Sequence, residues 1–147
     1  MREISRTAIV EHRAAELYAI VEDVASYPRF LPWCLAADVL ERSESATLAR
    51  LAVGIRALRQ SFTTRNSNHA PDAIDIRLVE GPFRHFHARW EFVPLADRAT
   101  RIVFRMEYEF SNAAVATALG PLFAHIADSM VEAFLRRADE LHGGSRR

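Results

Sequence analysis

From about Cys34 to Phe110 the chain alternates apolar and polar side chains with a period of two, and the segment that follows changes to the period of a helix. Leu51, Val53 and Ile55 share one face of their segment, as do Ile74, Ile76 and Leu78 in the next. Ala88, Trp90 and Phe92 do the same, and so do Ile102, Phe104, Met106, Tyr108 and Phe110. The alternate positions carry Arg50 and Arg56, Asp75 and Arg77, Arg89 and Glu91, then Arg101, Arg105, Glu107 and Glu109. Turn-forming residues at 43–45, 66–72, 81–82 and 96–99 divide the run. An antiparallel meander is predicted, with one wet face and one apolar face that something else in the chain must cover.

That cover is the segment from Asn112 to His142. There Val115, Leu119, Leu122, Phe123, Ile126, Met130, Phe134, Leu135 and Leu141 recur at helical spacing. Gly120-Pro121 is expected to break or kink this helix, leaving a short lead-in and a main helix with Pro121 in its first turn. Ahead of the meander, Glu3 to His12 alternates with Ile4, Ala8 and Val10 on one face, which predicts an opening strand. Residues 13–24 place Leu17, Ile20, Val21 and Val24 at helical spacing, and Pro28 and Pro32 then bracket Phe30 and Leu31, leaving room for one more helical turn. The predicted order is strand, two short helices, about six strands and a long helix. This is the α+β helix-grip arrangement, a strongly curved antiparallel sheet wrapped around one C-terminal helix, read as a single domain over residues 1–147.

Composition narrows the function classes. Half the residues are hydrophobic and 26% are charged, with only 5 Gly and 6 Pro, which excludes a disordered or low-complexity chain. The single cysteine, Cys34, rules out an internal disulfide and fits a reducing compartment. The charged N-terminus lacks the apolar core of a signal peptide, and the longest apolar candidate, Ala113 to Ala124, is interrupted by Thr117, Gly120 and Pro121. A cytoplasmic protein is therefore expected.

All 19 basic residues are arginines, balanced by 19 acids, but the distribution is uneven. Residues 1–44 hold five Arg against eight acids, residues 45–105 ten against five, and residues 106–147 four against six. No acid lies between Glu44 and Asp72, whereas Arg50, Arg56, Arg59 and Arg65 do. Such a band suits phosphates, as in RNA, but the plainer reading is a solvated sheet face that pairs with acidic segments elsewhere in the chain. No recognised nucleic-acid motif accompanies it, and no DNA partner is expected.

The segments SRTAIV, DVASYPRFLPWC, SFTTRN, LVEGPF, WEFVPL, YEFSN and MVEAFLRRA occur in this order between about Ile4 and Leu141. In them the chain resembles the START-like family, often labelled polyketide cyclase/dehydrase, that contains the coenzyme Q-binding proteins and the ribosome-association toxin RatA. The resemblance implies a helix-grip fold with an internal cavity for ubiquinone, another prenylquinone or a related isoprenoid lipid, bound without covalent attachment and without catalysis, in support of respiratory electron transport. It also implies an alternative, association with the large ribosomal subunit that blocks its joining with the small one. A third reading is a polyketide cyclase or aromatase. Lipid binding would add passing contact with the inner membrane surface.

From the residues alone, the inward aromatics are core; with the resemblance, they become candidate cavity residues: Phe30, Trp33, Phe62, Phe83, Trp90, Phe92, Phe104, Met106, Tyr108, Phe123, Met130 and Phe134. Tyr27, Tyr108, Gln60 and Thr64 are the polar groups expected to serve a quinone's carbonyls. A cyclase would need an acid or base reaching inward, with Tyr108 the best placed. His85 and His87 share a strand face, but without a third ligand and flanked by Arg84 and Arg89 they read as surface histidines. Cys34, beside Trp33, reads as a small buried hydrophobe, and no metal or catalytic residue is assigned.

Overall fold

In the computed structural model, which describes residues 1–143, the chain begins with β1 (Arg2–Val10), α1 (Ala14–Glu22) and a 3-10 helix (Val24–Arg29). The meander follows as β2 (Cys34–Arg42), β3 (Ala46–Ile55), β4 (Leu58–His69), β5 (Ala73–Glu80), β6 (Phe83–Ala96) and β7 (Ala99–Phe110), and α2 (Ala113–His142) ends it. The seven strands form one sheet in the order β1-β7-β6-β5-β4-β3-β2, with every pairing antiparallel. Because β1 and β2 occupy opposite edges, the two short helices between them carry the chain across the sheet, and α1 meets α2, β5 and β6 on the way. The helix-grip arrangement expected from the sequence is thus present.

The sheet bends where its ladder is interrupted. Register shifts occur at Cys34/Ala36 and Val39/Glu41 in β2, between β4 and β5 where Thr63/Thr64 face Glu80/Leu78 and Val79 is the extra residue, and at Phe83/His85 and Pro94/Ala96 in β6. An extra residue on one strand of a pair increases local twist and bends that strand, which is how a wide sheet can wrap a helix. The concave face buries Ile4, Val53, Ile74, Trp90, Ile102 and Phe104, as the alternation predicts, while Ile55 emerges near solvent at the end of its hairpin. On the convex face Asp75 meets His87 at 2.7 Å, Arg77 at 3.3 Å and Arg89 at 3.4 Å, and Glu107 meets His85 at 3.0 Å. His85 and His87 are therefore outward residues paired to carboxylates.

Three local expectations differ from the structure. The residues at 66–69, read as part of a turn, continue β4, and the chain turns only at 70–72. Asn66 and Asn68 point inward in step with Phe62 and Thr64; the Thr64 hydroxyl donates to Asn66 Oδ1 at 3.2 Å and Asn68 Nδ2 donates to the Thr47 hydroxyl at 3.1 Å, while Asn68 Oδ1 is buried with no partner among the described residues. A hairpin turn at Arg56-Ala57 was not expected, since neither residue is a turn-former; Arg56 adopts the left-handed region with φ 56°, and Gly54 just before it lets the Leu58 carbonyl approach to 2.8 Å of where a Cβ would stand.

The third difference is α2, which passes through Gly120-Pro121 as one 30-residue helix. Proline removes one helical N–H and frees the carbonyl four residues earlier, on Thr117; both residues are exposed, so water can satisfy it. Leu119, Leu122, Phe123, Ile126 and Phe134 are buried on both sides of the proline and hold the helix to the sheet, while Leu141 is exposed. Unbroken, α2 is long and apolar enough by length and composition to cross a bilayer, with mean hydropathy 1.3 over 18 residues, but here its apolar side lies against the sheet and α1. The Asn112 side chain caps its start by accepting from the Val115 N–H at 2.9 Å. Buried His12 ties the corner after β1 to the far end of α2 through Asp139 at 2.7 Å.

Candidate functional site

Two aromatic clusters fill the space between sheet and helix. Near α1, Trp90 lies 4.6 Å from Phe104 and 5.0 Å from Phe134, and Phe134 meets Tyr27 at 5.3 Å and Phe30 at 5.2 Å. Toward the start of α2, Phe83 meets Phe123 at 4.9 Å, Phe86 at 5.1 Å and Phe110 at 5.2 Å, with Phe62 and Tyr108 beside them. Members of both clusters line one cavity of about 60 Å³. That is less than half of the roughly 150 Å³ that admits benzene into an apolar core.

Eight expected cavity residues line it: Trp33, Phe62, Trp90, Phe104 and Met106 from the sheet side, and Phe123, Met130 and Phe134 from α2. The other four, Phe30, Phe83, Phe92 and Tyr108, stand behind these, as ring partners of Phe134, Phe123, Trp90 and Phe123 respectively. Of the polar groups expected to face a ligand, Thr64 and Tyr27 line the cavity, whereas Gln60 donates to the Ser61 carbonyl at 3.0 Å and is not part of the wall. The Tyr27 hydroxyl donates to the Val21 carbonyl, and burial, with lesser contributions from Cys34, Asp23 and Glu22, holds its phenol above the ordinary range. Tyr108, whose phenol burial also raises, lies off the cavity.

Two polar side chains in the wall were not anticipated as ligand-facing. Asn66 was assigned to a turn, and following the alternation of Phe62 and Thr64 two residues further would have placed it inward. Trp33, expected as an apolar surface, carries an indole Nε1 that is buried with no hydrogen-bond partner among the described residues. An unmet buried donor costs about 1–3 kcal/mol. Among the described residues the lining contains no Asp, Glu, His, Arg or Cys, and the Tyr27 hydroxyl is engaged.

Cys34 is buried next to Trp33, its Sγ 3.6 Å from the Ala36 carbonyl, and burial pushes the thiol up to about 11 against the smaller opposing effect of that hydrogen bond. The thiolate is the reactive form. Alkylation by iodoacetamide at pH 8 should therefore run about two orders of magnitude slower than for a free thiol of pKa about 8.5, and should recover the free rate in denaturant. Fast labelling of the native protein would contradict this placement.

On the convex side, the structure brings together the arginines of the acid-free stretch. Arg59 and Arg65 lie on the outer face of β4, Arg50 on the adjoining face of β3 opposite Thr63, and Arg56 at the tip of the same hairpin. From Arg59 to Arg65 the band runs roughly 20 Å along the strand. All four are exposed, and none forms an ion pair among the described residues, although Asp38 stands opposite Arg50 and Arg77 opposite Arg65 in the ladder. The neighbouring Arg77 and Arg89, by contrast, are both engaged with Asp75.

Residues 10–135 match the model of the family described as polyketide cyclase/dehydrase and lipid transport. Among relatives, the chain is 41% identical over 140 residues to the ribosome association toxin RatA of Pseudomonas aeruginosa, covering 95% of this chain and 97% of that protein. It is 27% identical over 143 residues to the mitochondrial coenzyme Q-binding protein of Dictyostelium discoideum, covering 95% of this chain and 70% of that one. Among solved structures, an aromatase/cyclase from a Streptomyces species superposes with a TM-score of 0.82 at 19% identity, over 95% of this chain and 94% of the other, a likeness of fold.

Proposed function

The chain belongs to the polyketide cyclase/dehydrase and lipid transport family, and on that footing we propose that it acts by associating with the ribosome through the outer face of the β3–β4 hairpin. The observation that carries this reading is the cluster of Arg50, Arg56, Arg59 and Arg65, exposed on one hairpin and without ion-pair partners among the described residues. Unpaired guanidinium groups on a protein surface release counterions from each phosphate they meet, and so bind RNA with little need for a shaped pocket. The kinship with RatA supports the same reading, and the sequence resemblance points to the large subunit, whose joining with the small one such binding would block. Mixed with isolated subunits at low salt and sedimented, the protein should travel with the large subunit. Protein left entirely at the top of the gradient would overturn the proposal.

A second reading is favoured by the cavity, whose lining is uncharged throughout: a non-catalytic site for a prenylquinone or related isoprenoid lipid. At about 60 Å³ the interior admits a polyprenyl tail only if wall side chains such as Met130 move aside. Delivery of such a lipid would require passing contact with a membrane surface, whereas the ribosomal role is cytoplasmic. Protein purified from a ubiquinone-making host should then yield a prenylquinone on organic extraction, and repeated extractions without one would remove this reading.

A further inference from the structure

We infer that ribosome association is proton-linked through His87, whose ring, held between Asp75 and Glu107, gains its charge on binding and leaves Arg77 and Arg89 free to meet phosphate beside the arginine band. This inference rests on the reading of the β3–β4 hairpin as the ribosomal interface, and it extends that interface across β5 and β6. The Nε2 of His87 lies 2.7 Å from the Oδ1 of Asp75, and its Nδ1 lies 3.8 Å from the Oε1 of Glu107. Ionised carboxylates only accept, so a neutral ring with a single N–H suits one side, whereas an imidazolium suits both. Against burial, the largest effect, His87, Arg77 and Arg89 hold the Asp75 carboxyl below its ordinary range, and the His85 hydrogen bond at 3.0 Å is the main cause of the same shift in Glu107. Both carboxylates therefore stay ionised between about pH 5 and 8, where imidazoles titrate.

Asp75 also holds Arg77 at 3.3 Å and Arg89 at 3.4 Å. With His87 neutral its one charge meets these two cations; with His87 protonated the imidazolium takes over part of that pairing and the guanidinium groups are left in surplus. The other charged groups facing the ring are His85 on its own strand, Arg105 opposite Arg89 on β7, and Glu3 opposite Glu107 on β1. Along the ladder His87 stands opposite Arg77 and Arg77 opposite Arg65. The ring is thus two strands from the band, roughly 10 Å, which is about the Debye length in 0.1 M salt. Phosphates on the band favour the charged ring, so affinity rises as pH falls through the imidazole range.

The test measures binding of the full chain to purified large subunits at pH 8 and at pH 6, with the ionic strength held constant and low. Affinity should rise roughly three- to tenfold from the first to the second, the effect of one added charge about 10 Å from several phosphates. His87→Gln, which cannot titrate, should bind with the weaker affinity at both pH values, and His87→Arg, permanently charged, with the stronger affinity at both. Either variant decides the matter if the other fails to fold. A rise that persists in full in either variant assigns the proton to another group and overturns the inference. Equal affinity of the unaltered protein at the two pH values also overturns it, and leaves the ribosomal reading standing. Binding at neither pH overturns the ribosomal reading and the inference with it.

Discussion

Replacing Arg59 and Arg65 together by glutamate is expected to weaken association with the large ribosomal subunit by roughly 10- to 100-fold at low salt, without loss of folding. Both side chains are exposed on the convex face of β4 and lack ion-pair partners among the described residues, so their charge is free to meet phosphate. Reversal removes two favourable contacts and adds two repulsive ones. The effect on stability should stay within about 0.5 kcal/mol, as for most surface substitutions, and the glutamate at 65 would even face Arg77 across the ladder. Arg77→Glu and Arg89→Glu provide the contrast. Those arginines are engaged with Asp75, and reversing them should cost less binding while disturbing the convex-face ion network. Subunit binding unchanged in the Arg59→Glu/Arg65→Glu protein would remove this hairpin from the interface.

The second large effect concerns the interior. Phe104→Ala and Trp90→Ala should each lower stability by about 3–5 kcal/mol, the cost of a large aromatic removed from a packed core. For a domain of this size that corresponds to a fall in melting temperature of roughly 6–20 °C. The two rings are almost wholly buried and lie 4.6 Å apart between sheet and α2. An open channel along the helix would have made these losses smaller, because a side chain lining empty space has fewer contacts to lose. The small cavity leaves the rings packed on most sides. Losses below about 2 kcal/mol for both, measured by denaturant unfolding, would mean that the interior opens far more widely than its cavity shows.

How much of this was legible from the residues varies with the kind of interaction involved. Faces of strands follow from alternation alone, so Trp90, Phe92, Ile102 and Phe104 could be placed inward from the sequence. Turn positions depend on which residues favour reversal, and that signal misled in both directions. Asn66 and Asn68 are residues of turns, yet here each amide makes one hydrogen bond, to Thr64 and Thr47 respectively, inside a strand; Arg56 is not, yet it takes a left-handed conformation where two strands must reverse. Pro121 marks a helix end only where nothing else holds the helix, and burial on both sides of it holds α2.

The site was less legible than the fold. Which inward aromatic touches the cavity and which stands behind another ring is a matter of depth, as Phe30 behind Phe134 and Phe83 behind Phe123 illustrate, and alternation carries no depth. The volume between sheet and helix depends on the bulges that set the curvature, and these appear only as register shifts once strands are paired. That the Trp33 nitrogen finds no partner among the described residues likewise emerges only when its neighbours are in place. The arginine band was visible as charge in the sequence, but its freedom from acids could be judged only after β4 had been paired with β3 and β5.

Ribosome association through unpaired arginines is tested most directly by the salt dependence of binding between the unaltered protein and purified large subunits. With four guanidinium groups on phosphates, the affinity should fall linearly on a double logarithmic plot, by roughly 50- to 150-fold between 50 and 200 mM monovalent salt. Binding that holds its strength across that range, or no binding at 50 mM, would contradict the account.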